Sequence, residues 1–126
     1  MIDNKEKIIE YFKSGVKQNK DFKIGIEHEK FLFNKKNNKR VDYSKIKEMF
    51  NALLEFGWNP VFEKDNITAL NKGGKNITLE PGNQIELSGE KLNNIHEACS
   101  ESQDYLFELK QVTKKLDIEI VSAGFD

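Results

Sequence analysis

A hairpin pattern in residues 76–89 constrains the fold more than any other part of the chain. The stretch reads NITLEPGNQIELSG, in which two alternating runs flank a turn at 81–83. Pro-Gly favours turn types I and II, which fit a two-residue hairpin loop poorly. We therefore expect a three-residue loop with Asn83 in the left-handed conformation, a register that pairs Glu80 with Gln84.

This register separates apolar from polar side chains, because strand side chains alternate between the two faces of a sheet. One face receives the apolar side chains of the hairpin, which are Ile77, Leu79, Ile85 and Leu87. The other face receives the polar ones, which are Thr78, Glu80, Gln84, Glu86 and Ser88. The hairpin therefore predicts a sheet with one buried face and one face that carries carboxylates.

A second alternating segment, predicted as a strand over residues 22–33, also carries paired acids. Its sequence IGIEHEKFLF places Glu27 and Glu29 on one face, with α-carbons about 6.5–7 Å apart. His28 and Lys30 fall on the opposite face, where we expect His28 to pack or to form hydrogen bonds. Neighbouring carboxylates repel each other unless they are solvated, protonated or holding a cation.

Four glutamates are therefore candidate ligands for a divalent metal: Glu27, Glu29, Glu80 and Glu86. Hard oxygen donors without Cys or His partners favour Mg²⁺ or Mn²⁺ over Zn²⁺. Alternation alone does not determine whether the two pairs face each other. The alternative interpretation is a solvated strand face that carries ordinary surface acids.

The remaining pattern predicts helices at 5–17 and 42–57, grouped strands at 59–63, 66–71, 75–80 and 84–88, a long third helix, and a last strand at 118–125. Grouped strands predict an α+β fold with a largely antiparallel sheet. The first helix carries apolar residues at helical spacing, which are Ile8, Ile9, Phe12 and Val16. One face of the third helix is predicted to carry Leu92, Ile95, Cys99, Ser102, Leu106, Leu109, Val112 and Leu116. We expect Cys99 on this stripe to be a buried small hydrophobe.

Two basic features admit two interpretations each. The loop NKKNNKR at 34–40 is either a phosphate-binding patch or, as we expect, a solvated turn. Lys30 and Lys72 are candidates to contact a phosphate, although the default interpretation is that both are solvated lysines.

Composition excludes several functional classes. The 126 residues fit one compact domain, and 20 Lys and Arg against 21 Asp and Glu give no electrostatic reason to expect a nucleic-acid or membrane partner. No apolar run approaches the roughly 18–20 residues that a membrane span needs. A single Cys excludes an internal disulfide framework, and we expect a cytoplasmic location.

The motifs GIEHEKF at 25–31 and ITLEPGNQIELSG at 77–89 together resemble the plant and proteobacterial type of glutamate–cysteine ligase. NNIHEACSES at 93–102 and IEIVSAGF at 118–125 also resemble that family. The sequence departs from the family at Asn83, where the LEPGGQ run has a second glycine, which the left-handed turn position accepts.

This resemblance implies a glutamine-synthetase-like catalytic domain, with a curved, mostly antiparallel sheet, helices on one face and the active site on the concave face. It implies ATP-dependent joining of the glutamate γ-carboxylate to the amine of cysteine through γ-glutamyl phosphate, the first step of glutathione biosynthesis. By motif, the four metal ligands for Mg²⁺, or Mn²⁺, would be Glu27, Glu29, Glu80 and Glu86. Gln84 would contact substrate or a metal-bound water, and we expect no catalytic residue beyond the metal ligands.

Full enzymes of this family are several times longer than this chain. We therefore expect residues 1–126 to be the N-terminal part of a single catalytic domain, with an N-terminal helix in 1–20 and the metal-binding motifs in 22–126. We expect the remainder of the ligase chain as a partner and no activity without it. Another carboxylate–amine ligase of the superfamily and a non-catalytic α+β binding module remain the alternatives.

Overall fold

The computed structural model describes residues 4–124 of the chain. These residues contain three α-helices and six β-strands. In chain order they are α1 (Lys5–Ser14), β1 (Glu27–Asn34), α2 (Tyr43–Leu53), β2 (Asn59–Glu63), β3 (Asn66–Lys72), β4 (Lys75–Glu80), β5 (Gln84–Ser88), α3 (Ile95–Lys115) and β6 (Ile118–Val121). The α+β class and the grouped strands predicted between residues 59 and 88 are confirmed.

The six strands form one sheet in the order β2-β3-β4-β5-β1-β6, and every neighbouring pair is antiparallel. The predicted hairpin is confirmed, because Glu80 pairs with Gln84 across a three-residue turn. Gly82 and Asn83 both adopt positive φ angles there, of 74° and 59°. The Asn83 side chain also donates a 2.9 Å hydrogen bond to the Val41 carbonyl, which ties the turn to the chain ahead of α2.

Helices α2 and α3 cover the apolar face of this sheet. The strands contribute buried residues that include Leu32, Leu70, Ile77, Ile85 and Leu87. The two helices contribute Ile46, Met49, Phe50, Leu53, Tyr105, Leu109 and Val112 to the same cluster. The opposite face of the sheet carries mostly polar side chains, together with Phe31, which is buried beneath the Arg40 guanidinium rather than in this cluster.

The start and end of α2 follow the expected capping chemistry. Asp42 accepts a 3.0 Å hydrogen bond from the Lys45 amide, and a hydrogen bond from the Ser44 hydroxyl lowers the pKa of its carboxyl group. A 3-10 turn extends α2 to Phe56, and Gly57 ends it in the left-handed conformation, with a φ angle of 85°. Trp58 is then buried at the entry to β2.

Strands β1 and β6 are shorter than the sequence predicts. β1 begins at Glu27 rather than at residue 22, because its partner β5 ends opposite it at Ser88. Ahead of it, Ile24 forms only an isolated bridge to Leu92. β6 ends at Val121, and the predicted strand residue Phe125 lies outside the described residues.

Helix α1 forms, but its apolar side chains are not buried. Asn4 caps it by accepting a hydrogen bond from the Lys7 amide. Ile8 and Ile9 are 46% and 41% exposed, and Phe12 is 72% exposed. Periodicity therefore predicted the helix correctly, whereas it gave no information on whether another element covers the apolar side.

The predicted stripe of α3 is buried at Leu109 and Val112, but the prediction for Cys99 is wrong because this residue is exposed. The side that packs on the sheet carries Ala98, Glu101, Tyr105, Leu109 and Val112. Glu101 is buried, and its carboxylate is satisfied there because it accepts a 3.1 Å hydrogen bond from the Glu90 amide. Although α3 has 21 residues, no helix in the described part of the chain is both long and apolar enough to cross a membrane.

We predict that truncation of an apolar residue is costly in α2 and nearly neutral in α1. Leu53→Ala removes a fully buried side chain and should lower the free energy of unfolding by about 2–5 kcal/mol. Phe12→Ala should change it by no more than about 0.5 kcal/mol, since the ring is mostly exposed. Urea denaturation followed by circular dichroism measures both values. A comparable loss in the two variants would contradict the exposed position of α1.

Candidate metal-binding site

The register of the sheet brings the two glutamate pairs onto one face. Glu29 of β1 lies directly opposite Glu86 of β5, and Glu86 in turn lies opposite Thr78 of β4. Glu27 pairs with Ser88. Partners in an antiparallel ladder project to the same side, so all four predicted ligands share the face that the helices leave open.

Each of three carboxylates receives a hydrogen bond from a neutral side chain. The donor–acceptor pairs are Thr78 Oγ1 to Glu80 Oε1 at 2.7 Å, Ser88 Oγ to Glu86 Oε1 at 3.0 Å, and Gln84 Nε2 to Glu29 Oε2 at 3.3 Å. Neutral donors orient these carboxylates without cancelling their charge.

Gln84 is the most deeply buried of the polar residues on this face, with 9% of its surface exposed. Its amide nitrogen donates to Glu29 and also to the Ala123 carbonyl at 3.1 Å. The Gln84 amide nitrogen therefore already donates to protein acceptors. A contact between Gln84 and substrate stays a prediction, and it would be made by the side-chain carbonyl oxygen.

The direct pairing of Glu29 with Glu86 is electrostatically unfavourable in the absence of a cation. Side chains that are directly opposite in an antiparallel pair have Cβ atoms about 4.5–5.5 Å apart, and like charges at that separation destabilise the sheet. Both residues are only half-buried, so solvent reduces the repulsion without abolishing it. A divalent cation between the two side chains would remove it.

The donor set has the chemistry of a hard-cation site rather than that of a structural zinc site. Within residues 4–124, no group of three or more His, Cys, Asp or Glu side chains is placed so that it could hold a metal ion. Mg²⁺ does not require such a group, because it is bound through one or two carboxylates, with water and substrate phosphates completing its octahedron. Glu29 and Glu86, directly opposite each other on adjacent strands, are the candidate pair for that mode, and Glu27 and Glu80 lie on the same face.

His28 lies on the helix side of β1, as predicted. It is opposite Leu87 and stacks on Tyr105, with 6.4 Å between the ring centroids. Burial lowers its pKa, and the charge of Lys30 lowers it further. His28 is therefore a packing residue that takes no part in the carboxylate face.

Neither lysine that was considered for phosphate binding lies on the carboxylate face. Lys30 is buried on the helix side, where its ammonium group lies 3.4 Å from the Glu29 carbonyl and burial lowers its pKa. Lys72 forms a 2.6 Å ion pair with Glu108 of α3. The default interpretation of both as solvated lysines is wrong, since strand alternation directs them toward the helices.

Sequence reasoning missed two residues next to the glutamates. Arg40, from the loop predicted as a solvated turn, lies with its guanidinium 3.8 Å from the Phe31 ring centroid and donates a 2.7 Å hydrogen bond to the Gly82 carbonyl. Gly124 lies against the Glu29 carboxylate. The positions of Arg40 and Gly124 both depend on tertiary structure. The sequence signals only Gly124, through the run of small residues after β6.

Comparison with known proteins identifies the family of this chain. The model of glutamate–cysteine ligase family 2 matches residues 23–126. The chain belongs to this family. Among its relatives, the glutamate–cysteine ligases of Medicago truncatula and Nicotiana tabacum are each 39% identical over 122 residues, and that of Arabidopsis thaliana is 38% identical. Each alignment covers 96% of this chain and 23–24% of the relative, so the chain spans about a quarter of their length.

These relatives correct one expectation. The cytoplasmic location expected from the cysteine count is wrong by this comparison, because all three relatives are named as chloroplastic enzymes. A single cysteine excludes a disulfide framework, but it does not distinguish among compartments in which thiols remain reduced.

We predict that neutralising one member of the central pair stabilises the metal-free protein. Glu86→Gln keeps the side-chain shape and an oxygen for Ser88, but it removes the repulsion with Glu29. In EDTA at low salt, the free energy of unfolding should rise by about 0.2–1 kcal/mol. Urea denaturation measures the change.

The matched control is Glu119→Gln on β6. Glu119 lies 3.7 Å from the Lys35 ammonium group, so its neutralisation removes a weak attraction and should give no gain in stability. If both variants lose stability equally, the repulsion inferred for Glu29 and Glu86 is wrong.

Proposed function

We propose that this chain is the N-terminal part of a glutamine-synthetase-like catalytic domain that joins the glutamate γ-carboxylate to the amine of cysteine, using ATP and Mg²⁺. Membership of the glutamate–cysteine ligase family supports this assignment. The observation that carries it is the position of Glu29 directly opposite Glu86, with Glu27 and Glu80 on the same open face.

The proposed reaction has two steps. The γ-carboxylate of glutamate attacks the terminal phosphorus of ATP, which gives γ-glutamyl phosphate and ADP. The amine of cysteine then attacks the acyl carbon and displaces inorganic phosphate, which leaves a γ-glutamyl amide. Phosphoryl transfer needs positioning and charge neutralisation more than covalent participation by the protein.

The described residues are suited to the first of these steps. When bound, Mg²⁺ or Mn²⁺ supplies positive charge between the carboxylates and the phosphates of ATP. Glu29 and Glu86 would hold it from adjacent strands, while the Ser88 and Gln84 donors fix the carboxylate orientations. Glu27 and Glu80 are the outer carboxylates of the same face, and we assign them to the metal site as well.

The remainder of the ligase chain completes the proposed site. The relatives are about four times as long as this chain, which covers 24% of the Medicago truncatula enzyme. We propose that the missing part supplies most groups that bind ATP and cysteine, and that residues 1–126 alone are inactive. A non-catalytic module is disfavoured, because the family and the relatives that match this chain are named as ligases.

We predict that loss of one carboxylate charge abolishes turnover in the full-length protein. Glu27→Gln and Glu86→Gln should each lower the rate of Mg²⁺-ATP-dependent, cysteine-stimulated phosphate release by at least about a hundredfold. The reason is that each change weakens the charge neutralisation required in the transition state. Release of inorganic phosphate, measured with and without cysteine, gives the rates.

An exposed glutamate at the far edge of the sheet provides the control. Glu63 ends β2, remote from β1 and β5 in the strand order, so Glu63→Gln should retain the normal rate. Near-normal turnover in both Glu27→Gln and Glu86→Gln would overturn the assignment of these residues.

A further inference from the structure

The chain that leaves β6 returns across the carboxylate face and touches Glu29. The Gln84 amide nitrogen lies 3.1 Å from the Ala123 carbonyl oxygen and 3.5 Å from that of Gly124. The same nitrogen donates to Glu29 Oε2 at 3.3 Å. Gln84 thus joins the Glu29 carboxylate to the backbone at 123–124, two segments that are far apart in sequence.

Gly124 makes this approach possible because it has no side chain. A Cβ atom at position 124 would lie 2.7 Å from Glu29 Oε2 and 3.8 Å from its carboxylate carbon. The first separation is far shorter than the roughly 3.5–4.0 Å that non-bonded heavy atoms prefer. An added methyl group and the observed position of the carboxylate are therefore incompatible.

Backbone conformation does not explain a glycine at this position. The glycines of the described chain with positive φ angles are Gly57, Gly73 and Gly82, and Gly124 is not among them. Alanine can therefore adopt the backbone conformation of residue 124 without the strain of a left-handed position. The atom that it would meet is the end of a flexible side chain, so we expect Glu29 to move while the fold stays intact.

We propose that Gly124 is a positioning residue for the metal site: it leaves the space that the Glu29 carboxylate occupies, while Gln84 fixes that carboxylate against the backbone. This inference rests on the proposed function, because it takes Glu29 as a metal ligand. It also assigns Gln84 the role of holding the Glu29 carboxylate, as a metal ligand, in place. Groups that orient metal ligands in this way typically contribute 10–100-fold to metal affinity.

The test is Gly124→Ala in the full-length protein, with Mn²⁺ as the probe and electron paramagnetic resonance as the measure of free ion. We expect the dissociation constant for Mn²⁺ to rise about tenfold or more. The melting temperature of the metal-free protein should not change, because the carboxylate can rotate away from the new methyl group. The matched control is Gly25→Ala, since a Cβ at residue 25 would meet no atom within 4 Å, and Mn²⁺ affinity should be unaffected.

A second variant distinguishes displacement of Glu29 from a general disturbance. Glu29→Asp shortens the side chain by one methylene group and withdraws its carboxylate from position 124. In the double variant, Gly124→Ala should therefore cost much less Mn²⁺ affinity than it does in the wild-type background, which is the non-additivity of residues in contact. Equal losses in Gly124→Ala and Gly25→Ala would overturn the inference, as would a Gly124→Ala loss that Glu29→Asp does not reduce.

Failure of this inference can be separated from failure of the proposed function. Glu29→Gln tests the metal site directly. If Glu29→Gln leaves Mn²⁺ affinity unchanged, Glu29 is not a metal ligand, and the positioning role of Gly124 is overturned as well. If Glu29→Gln weakens binding while Gly124→Ala does not, the metal site stands and the positioning role alone is overturned.

Discussion

The antiparallel register between β1 and β5 is the constraint on which the rest of the structure depends. It places Glu29 opposite Glu86 on one face and sets His28 opposite Leu87 on the other. A slip of one residue would exchange the two faces, moving carboxylates into the core and apolar side chains into water. Burial of Leu87 and Ile85 under the helices therefore fixes the position of the carboxylates as firmly as it fixes the core.

This coupling lets the core support an unfavourable electrostatic arrangement. The two opposed carboxylates favour any state that separates them, whereas the same strands hold fully buried apolar residues that favour the observed register. Burial of one large aliphatic side chain contributes about 1.5–3 kcal/mol, more than the repulsion of a half-solvated pair of charges. The buried strands can therefore hold the two carboxylates opposite each other despite their repulsion.

Local patterns were sufficient to predict most of the elements, the α+β class and the face that carries the four glutamates. The turn at 81–83 was predictable because its residues determine loop length, and loop length determines register. Alternation did not show that Glu29 meets Glu86, since that depends on which strands are neighbours. The buried side of α3 was only partly predicted, because Glu101 lies within it, satisfied by the distant Glu90 amide that no periodicity reveals. Gly124 escaped prediction for the same reason: its contact is with a residue 95 positions earlier, and arises only from the path of the chain after β6.

The two basic residues near β1 lie on opposite sides of the sheet. Lys30 is adjacent to Glu29 in sequence, but because strand side chains alternate, its ammonium group lies on the helix side of the sheet. Arg40 approaches from the loop after β1, where its guanidinium lies over the ring of Phe31, which shares a face with Glu29, and donates to the Gly82 carbonyl at the turn. The hydrogen bonds to Glu29, Glu80 and Glu86 described above come from neutral groups, which orient the carboxylates and leave their charge in place. Under the proposed function, carboxylates oriented in this way are complementary to a small divalent cation that arrives with a phosphate, because that ion brings positive charge which the neutral donors do not supply.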